Sequence, residues 1–165
     1  MAGTGSKTGA GAARFKANAV GGKTSRLMMA VPFLLAATMM SASAGETPAP
    51  EGARVYFISP EDGATTSSPV NVVFGLQGMG VAPAGVAKEM TGHHHLLVDT
   101  PMLEGEELDY SIPADEHHVH FGGGQTETRI ELAPGTHTLQ LLLGDENHIP
   151  HNPPIVSDVI TITVE

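Results

Sequence analysis

The stretch Thr126–Leu143, TETRIELAPGTHTLQLLL, decides how the rest of the chain is read. Its two halves, Thr126–Leu132 and Thr136–Leu143, are rich in β-branched and apolar residues at period two. Ala133-Pro134-Gly135 between them is a turn signal, so the spacing predicts a β-hairpin. The same signature recurs outward in both directions. Arg54–Ser59 (RVYFIS) is β-branched and aromatic and ends at the turn Pro60-Glu61-Asp62-Gly63. Pro69–Leu76, His94–Val98, Val119–Phe121 and Val159–Val164 read as four further strands. No stretch holds a 3.6-residue apolar period over three turns. Seven short strands at this spacing predict an all-β fold, a small antiparallel β-sandwich of immunoglobulin-like kind.

A cupin-like β-barrel is the alternative. Pro134-Gly135-Thr136-His137 resembles one cupin motif, and His93-His94-His95 contains the H-x-H of the other. Against it, the glycine directly precedes His93, and no Glu follows His95 at the expected spacing.

The N-terminal part has a different composition. Residues 1–44 carry Lys7, Arg14, Lys16, Lys23 and Arg26 with no acidic residue, then the apolar run Leu27–Met40 and the small residues Ala42-Ser43-Ala44. This is the pattern of a signal peptide cleaved before Gly45; the run is shorter than the roughly 20 residues a membrane-spanning helix needs. Residues 45–52 (GETPAPEG) read as a linker and 53–165 as one domain. The expected location is periplasmic or secreted, with no membrane association once the leader is removed. From Gly45 onward 3 basic residues face 18 acidic ones, a formal charge of −15. Such a surface repels phosphate backbones, which excludes nucleic acid as a partner, and attracts cations. Nothing in the sequence specifies a protein partner. The absence of cysteine rules out thiolate metal sites, thiol nucleophiles and disulfides.

All nine histidines lie in the part after the leader. On a strand, residues i and i+2 share a face. His94, Leu96 and Val98 therefore fall on the core side, and His93 and His95 on the other. In His117–Phe121 the apolar side takes His117, Val119 and Phe121, and the opposite side takes His118 and His120. Each segment presents an H-x-H pair whose ring nitrogens can converge on one ion bonded at about 2.0–2.1 Å. If the segments are neighbours, four imidazoles surround one metal, a donor set suited to copper or zinc rather than calcium or magnesium. His148 and His151 sit in a proline-stiffened loop and can complete that site or form a second one. The candidate ligands are thus His93, His95, His118, His120, His148 and His151.

His137 shares parity with Leu139, Leu141 and Leu143 and reads as a satisfied structural histidine. Met79 and Met90 flank the first histidine segment and can be soft ligands or packing residues. The glycines of Phe121-Gly122-Gly123-Gly124 read as letting backbone approach the histidines or turn sharply. Hydrolytic chemistry would require a carboxylate such as Asp99 or Glu127 beside a metal-bound water, and no catalytic triad stands out. The chain accordingly reads as a binder rather than an enzyme. The competing reading is a non-catalytic immunoglobulin-like interaction module whose histidines serve structure or pH response.

TGHHHLLVD (Thr91–Asp99), HHVHFGGGQTE (His117–Glu127), PGTHTLQLLLGD (Pro134–Asp145) and HIPHNPP (His148–Pro154) together resemble a family of exported bacterial proteins known only as a domain of unknown function. The resemblance covers Pro69–Glu165. It implies export and a compact β domain, and supplies no activity.

Overall fold

The computed structural model describes residues 47–165. The expected leader and the first two linker residues lie outside that range. The described chain forms nine strands and one 3-10 turn. The strands are β1 (Arg54–Ser59), β2 (Thr65–Thr66), β3 (Val70–Gln77), β4 (Gly80–Val81), β5 (Thr91–Val98), β6 (His118–His120), β7 (Glu127–Ile130), β8 (Gly135–Gly144) and β9 (Ile160–Val164); the turn is Gly105–Asp109. No α-helix occurs among the described residues, and none there is long and apolar enough to cross a membrane.

Two sheets result. One is antiparallel, ordered β1-β3-β7; the other runs β2-β9-β8-β5-β4, with β6 also on β5. The second sheet is mixed, which corrects the expectation of a purely antiparallel fold: two-residue strands β2 and β4 pair in parallel with β9 and β5. Neither sheet closes on itself, so the cupin-like barrel is set aside. The sheets face each other across one core. Val55, Val70, Val72 and Phe74 from the first meet Leu96, Val98, Leu139, Leu141, Leu143, Ile160, Ile162 and Val164 from the second. Burying each such aliphatic side chain contributes about 1.5–3 kcal/mol.

The expected hairpin does not form. Strand β7 pairs with β3 in the first sheet, whereas β8 pairs with β5 and β9 in the second. The reason lies in the two burial patterns. From Leu141 to Gly144, β8 is buried on both faces and needs the middle of a sheet, while β7 buries only alternate side chains in part and suits an edge. The Ala133-Pro134-Gly135 turn therefore carries the chain from one sheet to the other.

Strand β5 is equally central. Strand β8 holds one edge of it, and β4 and β6 share the other. Its outer face is covered by two connections. Leu97 and Leu142 pack there against Ile112, with Met102 and Leu103 alongside. The connections are tied to each other by Ile112 N–H to His148 O (2.8 Å) and Ser111 Oγ to Asn147 O (3.0 Å). The candidate site lies on this covered face.

Candidate metal centre

Parity along β5 divides its histidines. His94 points into the core with its ring centroid 5.1 Å from that of Phe74, as expected of the Leu96 and Val98 side. His93 and His95 point to the outer face and are both buried. Strand β6 runs antiparallel beside them with His95 opposite His120 and Leu97 opposite His118. Directly opposed residues share a face, so both H-x-H pairs project the same way, as the period-two reading requires.

The register is offset, however, and four imidazoles do not converge from the two strands. His93 has no partner on β6, and His118 lies across from Leu97. What converges is His93, His95 and His120, whose ligand nitrogens all lie within 4.8 Å of one another. The Nε2 atoms of His93 and His95 are 3.1 Å apart. Two nitrogens bonded to one ion at about 2.0–2.1 Å stand roughly 2.9–3.3 Å apart for angles between square and tetrahedral, so this spacing is already that of a ligand pair. Ring centroids of the three are 4.9–5.0 Å apart.

A loop histidine stands beside the three, outside the group whose nitrogens converge. The ring of His148 stands 4.7 Å from that of His120, 5.1 Å from His93 and 6.2 Å from His95. The loop is shaped by Asp145, a buried carboxylate that sequence reasoning missed. Its Oδ1 accepts the N–H groups of Asn147 (2.8 Å) and Ile149 (3.0 Å), while its backbone oxygen accepts that of His148 (3.0 Å). An Asp opening a short polar segment after a strand is a recognisable turn signal, and Gly144-Asp145-Glu146-Asn147 carried it.

His118 turns to Asp115, whose Oδ1 lies 2.9 Å from Nδ1 and also accepts the N–H groups of His117 and His118. Its Nε2 is buried without a partner. His151 is buried too, with Nδ1 3.5 Å from Leu143 O and no partner on Nε2. It lines a cleft with Leu108 and Asp109 that none of the three converging histidines lines. Neither His118 nor His151 belongs to the converging group.

His137 has an acceptor on each ring nitrogen, Asp99 Oδ2 at 2.7 Å and Ala133 O at 2.8 Å, so it is the satisfied structural histidine expected. Those bonds, Asp99 first, raise its pKa. Asp99 is thereby engaged away from the cluster, and Glu127 lies on β7 in the other sheet. His117 is exposed rather than on the apolar side; it precedes β6, and its Nδ1 bonds Val98 O (2.9 Å). Met79 packs against the core and Met90 is largely exposed, which favours the packing reading of Met79.

Glycines make the close approach possible. A methyl group at Gly122 would fall 2.7 Å from His120 Nε2, and one at Gly144 would fall 3.0 Å from His95 Nε2. Gly122 fulfils the sequence expectation; Gly144, facing the site from β8, was not singled out.

Electrostatics favour the ligand form of the imidazoles. Burial lowers the pKa of His93 to about 4, helped by its neighbours His120 and His148 and opposed by Asp145. Burial and then His93, His120 and His148 lower that of His95 to about 2. His120 is lowered as well, by desolvation and then His148. These rings are neutral near pH 7, with a lone pair on one nitrogen of each. The group is also short of partners: Nδ1 of His93 and of His95 is buried without a hydrogen bond. Buried polar atoms in that condition are rare and call for a cause.

A family model described as Domain of unknown function (DUF4399) matches residues 72–165. No curated protein and no solved structure matches the chain. The match spans more than half of the sequence, and the chain belongs to that family.

Proposed function

We propose that this member of the family is an exported metal-binding protein that holds a divalent transition metal, copper or zinc, through His93, His95 and His120, with His148 as the fourth ligand. The observation that carries the proposal is the convergence of three neutral imidazoles from two adjacent strands, two of them with Nε2 atoms 3.1 Å apart. Three facing imidazoles offer lone pairs and few protons to share among them, whereas a cation satisfies all of them together. An all-nitrogen set selects Cu(II) or Zn(II) over the hard cations Ca(II) and Mg(II). His118 and His151, candidates by sequence, are left out of the proposed ligand set because His118 turns to Asp115 and His151 lines a separate cleft, whereas the ring of His148, outside the converging three, stands 4.7 Å from that of His120 and 5.1 Å from that of His93.

Export is supported by the basic, then apolar, then small-residue pattern of residues 1–44, and a periplasmic or secreted location is part of the proposal. An immunoglobulin-like sandwich is part of the same proposal, supported by two facing sheets and a closing alternating strand. The competing reading, an interaction module with structural histidines, is favoured by His137, whose two nitrogens are satisfied. That explanation reaches one histidine and does not extend to His93 and His95, whose Nδ1 atoms are buried without a partner.

Equilibrium dialysis of the purified protein against Zn(II) and Cu(II) tests the proposal. One tightly held ion per chain is expected, lost in His93→Ala and His95→Ala. Binding no stronger than that of an unfolded histidine-rich peptide, or unchanged in both variants, refutes it.

A further inference from the structure

The loop Gly144–Ile149 carries the one proposed ligand that is not on a strand, and its main chain is held at several points. His148 has φ = 68°, a left-handed conformation that a non-glycine residue adopts at a cost of about 1–3 kcal/mol. Its N–H donates to Asp145 O (3.0 Å) and its carbonyl accepts from Ile112 (2.8 Å). The Asp145 side chain is 2 % exposed, and it divides its two oxygens between two tasks. Oδ1 braces the loop from inside, through Asn147 and Ile149. Oδ2 accepts a 2.7 Å hydrogen bond from Thr47 Oγ1, 98 residues away in sequence. Thr47 is itself fixed in place, because its carbonyl accepts from Asn152 N–H and Ala49 N–H donates to Asn152 O, both at 2.9 Å. The N-terminal segment thus lies alongside the far end of the same histidine loop.

We propose that Asp145 is the positioning residue for His148 as the fourth ligand, and that Thr47 completes this support by holding the buried carboxylate in orientation. The inference rests on the proposed metal site. Neither residue touches the ion. Each acts on the loop, and the loop sets where the imidazole stands relative to His93 and His120.

Zn(II) affinity by competition with a chromophoric chelator, and the visible absorption of bound Co(II), separate this role from a merely structural one. Thr47→Val removes the hydroxyl at nearly constant volume and should weaken Zn(II) binding about tenfold, with Asp145→Asn nearer a hundredfold. Thr47→Ser restores the hydroxyl and should bind like the unaltered protein. In a His148→Ala background, Thr47→Val should cost nothing further, because the ligand it positions is gone. Co(II) absorption should drop in both Thr47→Val and His148→Ala, signalling loss of four-coordinate geometry. Thr47→Val binding with unaltered affinity overturns the inference, as does an equal loss with and without His148. If the unaltered protein binds no Zn(II), or His95→Ala is without effect, the metal site itself fails. Failure of the Thr47 variants alone leaves that site standing.

Discussion

Mild acid should destabilise the metal-free protein strongly, because its buried histidines must stay neutral to remain folded. Burial lowers the pKa of His93 and His94 from 6.5 to about 4 and, with its neighbouring imidazoles, that of His95 to about 2. All three side chains are almost wholly buried. The folded state therefore binds fewer protons than the unfolded chain at every pH between these values and 6.5. Stability from this source is complete above about pH 7 and is lost as pH falls towards 4. Between pH 7 and pH 5 an unfolded histidine with pKa near 6.5 gains roughly 2 kcal/mol from protonation that the folded form does not. Three such groups give about 6 kcal/mol, comparable with the entire stability of many small domains. Urea unfolding at pH 7 and pH 5 measures the difference, and carboxylates remain largely ionised over that window. His94→Leu, which removes one of the three without touching the proposed ligands, should shrink the difference by about 2 kcal/mol. A pH 7 to pH 5 difference below about 1 kcal/mol would show that the rings are hydrated or partnered, contrary to the buried, unbonded nitrogens described above.

Three further outcomes follow from the same geometry. Zn(II) at a hundredfold excess over its dissociation constant should stabilise the protein by about 2.7 kcal/mol at pH 7, and His95→Ala should abolish this in thermal unfolding. Gly144→Ala should weaken Zn(II) binding about tenfold with the fold retained, since its methyl group would press on His95 Nε2 from 3.0 Å; dialysis checks it. His137→Ala should cost about 1–3 kcal/mol by freeing Asp99 and Ala133 while leaving metal affinity unchanged. Because the His137 pKa is raised, that stability is complete below pH 6.5 and fades as pH climbs through the raised value, opposite in sign to the buried cluster.

Much of the fold and part of the site were legible in the sequence. Strand β1 matches its expected limits, and period-two alternation separated His94 from His93 and His95 because one face of β5 packs on Phe74. Strand partners were less legible. The Ala133-Pro134-Gly135 turn suits a hairpin locally, but a turn motif does not register that Leu141–Leu143 is buried on both faces and demands a central position. Register was the other hidden quantity. The His95–His120 pairing puts His118 opposite Leu97 and out of the cluster, and parity alone is blind to a two-residue slide. His148 was named as a secondary candidate and stands against the cluster because Asp145 and Ile112 hold its backbone, contacts that span up to 36 residues. Thr47 and Gly144 owe their roles to long-range proximity and carry no local signal.

X-ray absorption at the metal edge of the zinc-loaded protein tests the central claim most directly. The account predicts three to four nitrogen neighbours at about 2.0–2.1 Å with the outer-shell scattering of imidazole rings, reduced by one ring in His120→Ala. A first shell dominated by oxygen, or imidazole scattering unchanged in His120→Ala, would contradict it and assign the ion to the acidic surface or to other histidines.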